Sequence, residues 1–111
     1  MAYDHGLAER IRERVAVLSP IPAIEKHMFG GLAWFIGGNM AVAVSKDDLV
    51  VRMSKDAAAD ALGRPFVEPF GPAGRQMKSW VRVTPPALEA DRVFDDWLRI
   101  GLDFAAALPP K

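Results

Sequence analysis

The chain has 111 residues, half of them hydrophobic, with fourteen basic side chains against fourteen acidic ones and no cysteine. That length suits one domain spanning residues 1–111 with a real core, and so much apolar content excludes a disordered chain. The missing cysteine excludes disulfides, thiolate metal sites and cysteine nucleophiles, and the balanced charge removes any general attraction to nucleic acid or an anionic membrane.

In residues 3–18, Leu7, Ile11, Val15 and Leu18 recur at steps of four, four and three, which predicts a helix with one apolar stripe. Arg10 and Arg14 stand one turn apart and are expected to face water. Pro20 and Pro22 end this helix. A strand is expected over 24–29, then a turn or bulge at Gly30-Gly31, a strand over 32–36, a turn at Gly37-Gly38-Asn39, and a strand over 40–44. A polar turn at 45–48 leads to a strand over 49–53, so the four runs predict an antiparallel meander. Ser54 is placed to cap a short helix ending near Leu62, with Gly63 and Pro65 closing it. Residues 66–70 form a weak strand in which Pro69 demands an edge, and 77–83 a clear strand. A final helix runs from Leu88 or Asp91 to Leu108, with 109–111 as a frayed tail. The whole is expected to be α+β: an antiparallel sheet of about five to six strands with an N-terminal helix, a short middle helix and a C-terminal helix.

A sheet with one wet face should alternate apolar and polar residues, and the central hairpin does not. Leu32, Trp34 and Ile36 oppose Ala33 and Phe35; Met40, Val42 and Val44 oppose Ala41 and Ala43. Both faces therefore read as dry. Either the helices divide between the two faces, or a homodimer forms whose contact includes part of the sheet.

No stretch is long and apolar enough to span a membrane, and the N-terminus lacks the apolar segment of a secretory signal, so the expected location is the bacterial cytoplasm. The glycine pairs lead into strands, not helices, and no phosphate-loop pattern occurs. His5 and His27, the two histidines, have no ligand spacing around them, so neither a metal nor a cofactor is expected. No nucleophile motif is present, and Asp47-Asp48 and Asp95-Asp96 read as solvated acids, so no catalytic residue is assigned. The helix with Arg10, Arg12 and Arg14 is the one cationic candidate for DNA, diluted by Glu9 and Glu13, which makes direct nucleic-acid binding an unfavoured reading. In the strand "MKSWVRV", Lys78, Trp80 and Arg82 share a face, with Arg75 just upstream. That face could stack an aromatic ligand, bind an anion or hold a partner; in the simpler reading the cationic stems cover the tryptophan.

"EKHMFGGLAWFIGGNMAVAV", "DDLVVRM", "GRQMKSWVRV", an acidic helix with "DDWL" and a closing "ALPPK" together resemble the N-terminal domain of the TfoX family of competence regulators. The matching residues are Lys26, Met28, Phe29, Gly30 and Gly31; Gly38, Asn39 and Met40; and Met77, Lys78 and Trp80. The resemblance implies an α+β fold similar to secretion-chaperone-like domains, which often dimerise. It also implies that most of these residues are structural: glycines for turns, methionine and phenylalanine for the core. Fuller members carry a second, C-terminal domain and act as positive regulators of DNA-uptake genes; the chain corresponds to the first domain, expected to stand alone. The resulting expectation is a small non-enzymatic domain acting through protein contacts.

Overall fold

The computed structural model of the protein describes residues 3–28, 30–71 and 76–111. Among them run α1 (His5–Leu18), β1 (Ile24–Met28), β2 (Gly31–Ile36), β3 (Asn39–Ser45), β4 (Asp48–Arg52), α2 (Lys55–Ala61), β5 (Val67–Pro69), β6 (Trp80–Val83), a 3₁₀ turn (Pro85–Leu88) and α3 (Asp91–Ala107). The six strands make one antiparallel sheet in the order β1-β2-β3-β4-β6-β5. The α+β architecture expected from the sequence is present, with the meander in place and Pro69 on an edge strand. No helix among the described residues is long and apolar enough to cross a membrane.

The local chemistry sets the element boundaries. Asp4 caps α1 by accepting the Leu7 amide proton at 3.0 Å, and Ser54 caps α2 by accepting that of Ala57 at 3.1 Å. Gly37 and Gly38 both hold positive φ (58° and 84°) between the paired residues Ile36 and Asn39, as a two-residue hairpin turn of this hand requires. Gly30 turns the chain between β1 and β2 at a φ of 75°, as the sequence suggested, and a separate register shift lies within β2 at Trp34/Phe35.

All three helices lie on one side of the sheet. Gly101 of α3 approaches β3 so closely that an added Cβ would stand 2.5 Å from the Ala41 carbonyl oxygen and 2.7 Å from Val42 Cγ1. Buried residues of α1, α2 and α3 form one core with Trp34, Val42, Leu49, Val51 and Val81. Fully burying such side chains stabilises by about 1.5–3 kcal/mol each. The helices do not divide between the two faces. No described helix crosses over, and yet Ala33 and Val50 are 1% and 0% exposed there. Each has one long cationic side chain beside it in the pairing, Lys26 next to Ala33 and Arg82 next to Val50, with Ala43 between the two small residues.

Three further expectations are corrected. The strand expected over 77–83 begins only at Trp80, because the Trp80 amide donates to the Met77 carbonyl (3.1 Å) and closes a turn. Residues 109–111 are held rather than frayed: Asn39 Nδ2 donates to the Pro109 carbonyl at 3.0 Å, and the Lys111 amide donates to that of Gly37 at 2.8 Å. Arg10 and Arg14 do not simply face water. Arg10 donates to the Leu88 carbonyl at 2.6 Å and to Asp91 at 2.9 Å and lies 3.9 Å from the Phe94 ring centroid, while Arg14 grips Asp95 through two bonds of 2.9 and 2.8 Å.

Candidate interaction surface

The helix-free face of the sheet follows directly from the pairing register. Directly opposed residues share a face, so one row crosses all six strands: Lys26, Ala33, Ala43, Val50, Arg82 and Glu68. Its middle three side chains are small and its ends are long and charged. The neighbouring row brings Arg52 opposite Trp80. The result is a strip of small side chains, Ala33 and Val50 already covered, between a Lys26–Phe35 side and a Trp80–Arg82–Arg52 side. Lys26 Nζ stands 5.1 Å from the Phe35 ring centroid, and Phe70 packs on Trp80 with 6.3 Å between rings.

The second side holds the unusual electrostatics. The Arg52 guanidinium lies 5.4 Å from the Trp80 ring and 5.6 Å from that of Phe104, a residue of α3 reaching the sheet's end. Arg82 pairs with Asp48 at 3.6 Å. Burial pushes the Asp48 carboxyl above its ordinary value, and Arg82 only partly offsets this. Asp48 is thus not the solvated turn acid read from the sequence; it opens β4 with its side chain 15% exposed. The Nε atoms of both Arg52 and Arg82 are buried and have no hydrogen-bond acceptor. A buried unpaired donor of this kind costs on the order of 1–3 kcal/mol, so each arginine is incompletely satisfied in the single chain.

Of the residues singled out in the sequence, Trp80 and Arg82 stand on this face. Lys78 sits exposed in the turn before β6, outside the strand alternation, and Met77 is exposed beside it. Arg75 lies outside the described residues, as does Phe29 of the glycine-rich motif. Arg52 was missed, although its signal is present in "LVVR": it alternates with Leu49 and Val51 and so shares the face of Val50. The remaining motif residues are distributed through the fold. Lys26 and Met28 lie on β1, and Gly30 holds a φ of 75° in the β1–β2 turn. A Cβ on Gly31 would strike the Val44 carbonyl, Gly38 meets Lys111, and Asn39 binds the Pro109 carbonyl. Met40 is 8% exposed opposite Phe35.

Elsewhere, a cleft of about 460 Å³ lies between the end of α1 and β1, lined by Val15, Pro20, Ile21, Glu25 and Trp34. Its rim is closed by Arg12, which binds Glu25 through two bonds of 2.8 and 2.9 Å and holds that carboxyl below its usual range. With Arg10 and Arg14 bound as described, all three arginines of α1 face carboxylates. His5 stacks on Tyr3 and His27 is exposed; among the described residues no three histidine, aspartate or glutamate side chains gather as metal ligands.

Residues 16–105, most of the chain, match the family model described as the TfoX N-terminal domain. No curated protein matches the chain.

Proposed function

The chain belongs to the TfoX N-terminal domain family, and from its helix-free sheet face we propose a non-enzymatic regulatory domain of the bacterial cytoplasm that works by holding another protein there. The observation that carries this reading is the cationic and aromatic surface of that face, Lys26 over Phe35 on one side and Arg52, Trp80 and Arg82 on the other. From Lys26 to Arg82 the row crosses four strand spacings of about 4.8 Å, roughly 19 Å in all, which is wide enough for an α-helix with its side chains. Tryptophan and arginine are the residue types in which binding energy concentrates at interfaces. The cationic side chains of Arg52 and Arg82 suit a partner that brings carboxylates. The engagement of Arg10, Arg12 and Arg14 with carboxylates leaves α1 poorly suited to phosphate contacts, which sets this reading above direct DNA binding.

Capture from a native lysate tests it, with the wild-type chain and a folded Trp80→Ala variant as baits. A hot-spot loss of ~2 kcal/mol weakens binding roughly 30-fold, so a stoichiometric partner should stay on the wild type and wash off the variant. A partner held equally by both, or repeated absence of any, contradicts the proposal.

The two arginines beside the Trp80 ring favour a second reading, in which Trp80, Arg82 and Arg52 bind a small carboxylate or phosphate compound. Such a ligand must raise the melting temperature of the wild type and lose that effect on an Arg52→Ala/Arg82→Ala variant. An unchanged melting temperature across a panel of acidic metabolites removes it.

A further inference from the structure

The two edges of the sheet are not alike. β5 is three residues long and carries Pro69, which blunts it against further pairing. β1 is five residues long, contains no proline, and shows every residue at least partly to solvent. Ile24 is 60% exposed on this edge, and Ile21, which leads into it, is 48% exposed. An edge of this kind offers a row of main-chain donors and acceptors to any strand that fits beside it.

We propose that the strand that fits is β1 of a second copy, paired antiparallel about a dyad at Lys26, so that two six-stranded sheets become one. The register follows from which side each residue faces. Glu25 and His27 oppose Trp34 and Leu32 and so stand on the helix side; Ile24, Lys26 and Met28 stand on the other. A dyad perpendicular to the sheet keeps these sides, so only residues of one side meet across it. Centring it on Lys26 sets each Glu25 opposite the second copy's imidazole at position 27 and each Ile24 opposite a methionine, with every such pair formed twice. The one like-charged pair is Lys26 with its own copy, and each Lys26 ammonium is drawn inward over the Phe35 ring. The apolar contact between Ile24 and methionine covers a side chain that the single chain leaves in water. This pairing does not depend on the sheet face holding a partner; it would set two such faces side by side.

Light scattering and sedimentation of the whole chain across the micromolar range test it, on the wild type and on two exposed-site variants checked for an unchanged melting temperature. The wild type should be a dimer. His27→Glu opposes two carboxylates and should weaken dimerisation about tenfold or more, whereas His27→Lys faces Glu25 with a permanent cation and should preserve or tighten it. A wild type that stays monomeric overturns the proposal. So does a dimer indifferent to His27→Glu, or one lost instead on Trp80→Ala. A monomer whose β1 amides gain protection from hydrogen exchange only when a captured protein is added would give the edge to a foreign strand and overturn it too.

Discussion

Gly101 marks the point where α3 touches the sheet, and its missing side chain is what lets the two backbones meet. Alanine there is acceptable to a helix but would press on the Ala41 carbonyl, which cannot move without disturbing the ladder. Gly101→Ala should cost about 1–3 kcal/mol, read as a lower urea midpoint with an unchanged slope. Asn39 makes a second single-residue test. Its amide, 3% exposed, is the buried polar residue among those described that fastens 109–111 to the hairpin. Asn39→Ala should cost on the order of 1–2 kcal/mol by leaving the Pro109 carbonyl without its donor, and amide exchange in the β2–β3 turn should quicken. The positive φ of Gly37 and Gly38 was legible in the sequence, because two glycines between apolar runs have few other uses. The bond made by Asn39 was not, because its acceptor lies seventy residues away.

At the scale of elements, apolar periodicity located α1, α3 and most strands, since burial of one stripe is what makes them form, while the Ser54 cap and Gly63-Pro65 stop located α2. It could not show how α1 is fixed to its neighbours. Arg14 reaches Asp95 and Arg10 reaches Leu88 and Asp91 across 78 to 81 residues, and such pairs exist only once α1 lies on α3. The strand over 77–83 was overestimated for a related reason: its first three residues alternate well, but the turn closed by the Met77 carbonyl takes them out of the ladder. The ion pairs carry a pH signature. Hydrogen bonds from Arg12 and Arg14 hold Glu25 and Asp95 below their ordinary values. Groups depressed in the folded state contribute stability that is present above the unfolded carboxylate range of about 4 and is lost as pH falls through the folded values. Asp48, raised by burial, acts in the opposite sense and is relieved by protonation. The melting temperature should therefore decline below pH ~4, less steeply in Asp95→Asn, whose remaining loss comes from Glu25. An identical decline in that variant would show that the α1–α3 pair contributes nothing.

For the whole molecule, the sequence disclosed that both faces of the central hairpin are apolar but not how the second is occupied. Val50 is fully buried without a helix above it and stands beside the long Arg82 side chain in the register, and that register cannot be read from strand composition. The face that emerges joins Trp80 and Arg82, both visible in the sequence, to Arg52, whose place beside them depends on β6 inserting between β4 and β5. Chemical-shift mapping of the isotopically labelled domain against its captured partner tests the working surface most directly. The perturbed amides should centre on Ala33, Ala43, Val50, Arg52, Trp80 and Arg82. Perturbations confined to the outer surfaces of α1 and α3, with those six unmoved, would contradict it.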